Sequence, residues 1–203
     1  MALAIDNTAL VVASRGSIFT AAANTALPAG GIMAFAQVMS GLATTITGWT
    51  RIGNTSRENL PEFSIEAGDA TSLGTWDTER VRTVYGASSV SWTLHPSQLD
   101  AETVKWVANG WGTTNDAVIP ASGWQFTAAY VIVVFDGTMV SGLYLPNNDS
   151  IMTGLPSLAV DGFSEMEVGN TLKPAATAAI PANVDGRSGL LKVFKPVAYS
   201  AGP

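Results

Sequence analysis

A chain of 203 residues is long enough for one large domain with its own hydrophobic core, and it carries 16 acidic against 10 basic residues and no cysteine. These counts exclude disulfide frameworks, thiolate metal sites and cysteine nucleophiles, and a net charge of −6 excludes the Lys- and Arg-driven grip on phosphate that sequence-independent nucleic-acid binding requires. Charged residues make up 13% of the chain, about half of the roughly 25% usual in soluble domains, so part of the surface is expected to be covered by other subunits.

Residues 1–14 contain no Lys or Arg, so they lack the basic n-region of an ordinary secretory signal. The stretch Gly16–Thr50 is uncharged, but Asn24, Pro28, Gly30, Gly31, Gln37 and Gly41 interrupt it. The longest clean apolar run, Ala128–Phe135, falls far short of the roughly 20 residues of a spanning helix, and no membrane insertion is expected. Weak periodicity among many Ala, Gly, Pro, Asn and Thr residues makes 1–47 an N-terminal arm and leaves 48–203 as the folded domain.

Within that domain Gly48–Asn54 reads as a strand, and Glu62–Ala67 alternates Phe63, Ile65 and Ala67 against Glu62, Ser64 and Glu66. From Glu58 to Glu79 six carboxylates occur without a base, a local negative field. Arg80–Tyr85 is a further strand candidate, and Ser89–Leu94 sets Val90, Trp92 and Leu94 on one face and hydroxyl residues on the other. A helix follows at about 97–109, with Ser97 and Asp100 as its start, Glu102 and Lys105 one turn apart, and Asn109-Gly110 as its stop. Its stripe of Leu99, Thr103, Trp106 and Val107 would pack on a sheet.

Gln125–Phe135 is apolar on both faces and reads as a central strand. Asp136-Gly137 then predicts a type I′ hairpin into Thr138–Leu145. Phe163–Val168 and Leu190–Phe194 complete the strands, while Thr171–Gly189 reads as loop. The architecture implied is mainly β, an antiparallel β-sandwich or partial barrel with one flanking α-helix.

Chemistry is sparse along the chain. The single histidine, His95, precedes Pro96 with no nucleophile–acid pair beside it, and no hydrolase elbow, phosphate loop, dinucleotide fingerprint or zinc-helix motif occurs. Asp161, Glu165 and Glu167, or Asn147-Asn148-Asp149, offer oxygen ligands, but nothing in their spacing fixes a coordination geometry. No catalytic residue, metal site or cofactor is therefore expected. Trp49, Trp76, Trp92, Trp106, Trp111 and Trp124 read as core or interface residues, with a sugar-stacking surface as the competing interpretation.

Several segments share an order and spacing with a known family: Gly16–Ala22 followed by Thr25–Ala29, Gly48–Ser56, Phe63-Ser64-Ile65-Glu66, Leu73–Asp77, Val81-Arg82-Thr83 and Ser89–Gly110. Over roughly residues 10–145 the chain resembles the major tail tube proteins of long, non-contractile-tailed (siphovirus-type) phages, particularly those of actinobacterial phages. The resemblance implies a structural virion protein of the phage tail, assembled in the host cytoplasm and without enzymatic activity. It implies hexameric rings stacked through arms and loops, around a barrel whose lumen passes double-stranded DNA without specific binding. A tape-measure protein and tail terminator or tip proteins would be its other partners. Many relatives carry an immunoglobulin-like domain at the C-terminus, and none is expected here.

On this basis Glu62, Glu66, Asp69, Glu165 and Glu167 are candidates for a negatively charged lumen, since carboxylates repel phosphate where Lys and Arg would hold it. Ile18, Phe19, Trp76 and Arg82 are candidates for contacts between subunits or rings. A monomeric β-sandwich carbohydrate-binding or adhesion module, a β-rich hydrolase, and another phage structural protein such as a decoration or tail-completion protein stay open as alternatives.

Overall fold

The computed structural model describes residues 10–157 and 162–199. In chain order its elements are β1 (Arg15–Ala22), α1 (Ile32–Met39), β2 (Thr50–Arg51), β3 (Phe63–Glu66), β4 (Ala70–Thr75), β5 (Thr78–Tyr85), β6 (Ser89–Leu94), α2 (Ala101–Ala108), β7 (Gln125–Asp136), β8 (Met139–Gly154), β9 (Glu167–Leu172) and β10 (Lys192–Ala198). The main sheet runs β2-β1-β7-β8-β9-β6-β3, with β10 also on β8, while β4 and β5 form a separate two-stranded sheet. Every pairing is antiparallel. The expected mainly-β, helix-flanked architecture is present, without closure into a barrel among the described residues.

β7 lies inside the sheet because neither of its faces tolerates water. Ala128, Tyr130 and Ile132 join one core with Ile18, Ile52, Trp92, Leu94, Val107 and Val168, which α2 covers. Ala129, Val131, Val133 and Phe135 join a second core with Phe19, Phe35, Trp49 and Tyr144, which α1 covers. Full burial of each such aliphatic or aromatic side chain contributes about 1.5–3 kcal/mol, so this strand anchors both layers.

The expected arm is partly sheet. Residues 15–22 pair along their whole length with β7, in register Arg15 with Phe135 through Ala22 with Ala128. Ile18 and Phe19, expected as inter-ring contacts, are each 2% exposed and fill the two cores of their own chain. α1 is a second helix beyond the one expected. It starts after Gly31 at φ 54° with no side-chain cap and carries no acid in its first turn and no base in its last, so it lacks the usual sequence signals.

Other differences are local. Asp100, not Ser97, caps α2: its carboxylate accepts the Glu102 and Thr103 N–H groups at 3.0 and 3.1 Å. Asn109 takes the left-handed conformation at the helix end, as expected, but Leu99 is 44% exposed. The β7–β8 turn is centred on Gly137 and Thr138, since Asp136 pairs with Met139. Only Gly137 of these has positive φ, which makes the turn type II′ rather than I′. β9 begins at Glu167, later than expected, leaving Phe163 exposed.

A polar network runs through the first core. Trp92 Nε1 donates to Asn148 Oδ1 at 3.0 Å, and Asn148 Nδ2 donates to the carbonyls of Ala128 and Leu145. Ser150 Oγ donates to Asn170 Oδ1 at 2.7 Å and bonds the Tyr130 hydroxyl, and Asn170 Nδ2 donates to the Trp92 and Val168 carbonyls. Each named side chain finds partners, as burial demands. Burial raises the Tyr130 phenol well above its ordinary range.

Candidate functional site

The sheet face opposite the first core divides into two regions. Where β7 and β8 carry Val131, Val133, Val140 and Tyr144, α1 covers it. Beyond the bulge between Ala128 and Tyr130 the same face becomes polar and has no described helix over it. Paired residues share a face in antiparallel strands. Register therefore assembles Glu66 with Ser89, Ser64 with Ser91, Ser91 with Thr171, Thr93 with Gly169, Thr171 with Asp149, and Asp149 with Thr127. Glu62 and Glu167 line the same shallow depression as Ser64, Ser91, Thr93 and Thr171.

The result is a bare face spanning β3, β6, β9, β8 and the start of β7, rich in Ser, Thr and Gly and edged with carboxylates. Lys173 and Asp149 pair there at 2.7 Å and neutralise one another. Glu62, Glu66 and Glu167 give the face its net negative charge. Three of the expected lumen candidates thus come together, and Asp149, noted in the sequence only as a candidate oxygen ligand, joins them.

Asp69 and Glu165 lie elsewhere. Asp69 sits in the link between β3 and β4, where its carbonyl accepts the Gly86 N–H. Glu165 Oε2 accepts from Asn59 Nδ2 at 2.7 Å and lies 4.0 Å from His95 Nδ1, in a loop cluster with both side chains 20% exposed. Partial burial pushes the Glu165 carboxyl up, but hydrogen bonds from Ser56 and Asn59 and the adjacent His95 outweigh it and hold the group below its ordinary range. These contacts tie neighbouring loops of one chain together.

Trp76 and Arg82 stand on the β4–β5 ribbon, which projects between β3 and β6. All of β4 is exposed, as are Trp76 at 103%, Val81, Val84 and Tyr85. Ile65, which shares a face with Phe63 as the alternation implies, is nevertheless 75% exposed at the root of this ribbon, whereas Phe63 is stacked on Trp92 at 5.7 Å. The tryptophans do not form one platform: Trp49 and Trp92 are buried in different cores, Trp106 and Trp124 pack against the first core, and Trp76 and Trp111 are exposed on separate segments.

Among the described residues no three His, Asp or Glu side chains gather to hold a metal ion. Asn148 is committed to the buried network and Asp149 to Lys173, and Asp161 lies outside the described residues. No described helix is long and apolar enough to cross a membrane.

A family model described as "Phage tail tube protein" matches residues 3–182. The chain belongs to the phage tail tube protein family. Its similarity to curated relatives is lower. Against the major tail protein Gp23 of Mycobacterium phage L5 it is 32% identical over 83 residues, 40% of this chain and 42% of that protein. Against the major tail protein Gp23 of Mycobacterium phage D29 it is 28% identical over 145 residues, 69% of this chain and 72% of that protein. A tail tube protein is a structural component of the virion, and actinobacterial phages are where these relatives occur. The match covers β1 through β9, so the bare face and the projecting ribbon both lie within the tail tube region.

Proposed function

We propose that copies of this chain associate into hexameric rings that stack into a tube, with the bare polar face of β3, β6, β9, β8 and β7 turned toward the channel. One observation carries the reading: among the described residues part of one sheet face is left uncovered, yet apart from Ile151 it is built from small hydroxyl residues and unbalanced carboxylates. An uncovered apolar face would call for a partner. A hydrophilic face of negative sign suits a passage for duplex DNA, because it repels phosphates and binds no bases.

Ring closure uses the edges of the sheet. β3 and the outer side of β1 beyond its short pairing with β2 offer unpaired backbone at opposite ends of the strand order. Such edges pair with other chains unless something blocks them. Strands from several copies would enclose a channel, since barrel diameter grows with strand number. The β4–β5 ribbon, with Trp76 and Arg82, then reaches a neighbouring copy in the next ring. A tape-measure protein would occupy the channel during assembly in the host cytoplasm, and terminator or tip proteins would cap the tube ends.

Negative-stain microscopy of the purified chain tests this directly. Rings or tubes with a central channel are expected as concentration rises. A strictly monomeric species at every concentration would overturn the proposal.

A further inference from the structure

The ribbon ends in Trp76-Asp77, the two residues between β4 and β5, with Glu79 close behind, so its tip joins a fully exposed indole to two carboxylates. The ribbon does not rest on its own body, as the exposure of all of β4 shows. Between β1 and the segment that leads into β3 lies a groove of 370 Å³ bounded by Arg15, Ile18, Arg57, Leu60, Pro61 and Val134. Arg15 and Arg57 are the charged residues that border it, and among the described residues no carboxylate lines it. Leu60 is 53% exposed at its rim, whereas the Arg15 guanidinium lies 4.3 Å from the centre of the Phe135 ring, on the opposite face of β1, so the cation available to the groove is Arg57.

Resting on the tube reading above, we infer that the ribbon tip of one copy seats in this groove of a second copy, with Trp76 filling the cavity and Asp77 and Glu79 facing Arg57. The groove falls in the roughly 300–1,000 Å³ range of pockets that enclose an inserted group, and an aromatic anchor with complementary charge around it is the usual core of a strong contact. A second groove, between β1, β2 and α2, carries Arg51 together with Glu102 and so offers the acidic tip no net attraction. The ribbon tip and the groove are different patches of the same surface, the groove walled by β1 and by the segment leading into β3. The contact is therefore head-to-tail, and a head-to-tail contact propagates from copy to copy instead of closing a pair.

The cysteine-free chain makes the test clean. A full-length variant carrying Thr78→Cys and Leu60→Cys, which keeps Trp76, Asp77 and Glu79, is assembled, oxidised and run on a non-reducing denaturing gel, beside one carrying Thr78→Cys and Glu102→Cys. The expected result is a ladder of covalent oligomers from the first variant and none from the second. A ladder from the Glu102→Cys variant alone, or a bond formed only within single chains, overturns the proposal. In parallel, Arg57→Asp and Asp77→Arg should each abolish tubes at the concentration where the unaltered chain assembles, and the two together should restore them. Loss with either change but no rescue by the pair refutes this groove while leaving the tube reading standing. An unaltered chain that forms no tubes removes the tube reading itself.

Discussion

Gly68 and Gly86 approach one another so closely that a Cβ on Gly68 would fall on the carbonyl oxygen of Gly86. The Gly86 N–H donates to the adjacent Asp69 carbonyl at 2.9 Å. This contact is where the β3–β6 pair hands over to the β4–β5 ribbon. Both cores lie away from it. Gly68→Val should therefore leave thermal unfolding of the chain nearly unchanged, within about 0.5 kcal/mol as for surface changes, while tubes disappear from micrographs. A large drop in melting temperature would instead mean that the ribbon root supports the body of the fold.

Asn148 holds the buried network by both ends of its amide. Asn148→Ala strands the Trp92 Nε1–H and removes a donor from the Ala128 and Leu145 carbonyls. An unsatisfied buried polar group costs about 1–3 kcal/mol, so a loss of about 2–4 kcal/mol is expected in urea unfolding. Ser64→Ala on the bare face, changing an exposed hydroxyl, should cost less than about 0.5 kcal/mol.

Reversing the sign of the bare face should convert a repelling surface into a binding one. The variant Glu62→Lys, Glu66→Lys, Glu167→Lys is expected to form tubes that retain fluorescent duplex DNA, with retention falling steeply as salt rises because each phosphate contact releases counterions. Unaltered tubes should retain none. Equal DNA retention by the two would place this face outside the channel.

Acid should weaken the start of α2. Partial burial pushes the Asp100 carboxyl up, but hydrogen bonds from the Thr103 side chain and backbone, Gln98 and the Glu102 backbone outweigh it and hold the group below its ordinary value of 3.8. A depressed carboxyl contributes stability that is present above the unfolded-state value and lost as pH falls through the folded-state value. Unfolding measured from pH 5 downward should show Asp100→Ala losing about 1 kcal/mol at the upper end and converging on the unaltered chain at the acid end. A pH-independent difference would assign the loss to packing, not to the cap.

The strands that read clearly were those whose burial follows side-chain type. Trp92 and Leu94 alternate with hydroxyls and are buried as expected, and the two-faced apolar run of β7 sits between two cores. β1 escaped because Ser17, Ile18, Phe19 and Thr20 are buried on both faces, which erases alternation, while glycine and alanine flank them. α1 escaped because neither end carries a side-chain cap or a charge. β9 was misplaced because Asn170, a residue that reads as loop, is buried in the network and bonded there. On the bare face, Glu62, Glu66 and Glu167 were legible as acids of strand-like segments. Asp149 was not, because only the pairing of β8 with β9 brings it alongside them. Ile65 shows the converse limit: alternation reports two faces but not whether anything covers them.

A two-stranded ribbon with no third strand and no core is marginally stable in water, and fixing its backbone costs conformational entropy. The β4–β5 ribbon meets that description in the isolated chain. Ordering it is then favourable only once a receiving surface stands ready, so the earliest encounters between free copies gain little, whereas an existing end offers finished surfaces. Under the tube proposal, growth should accordingly show a lag that preformed seeds abolish, with free copies staying dispersed until a starting point exists.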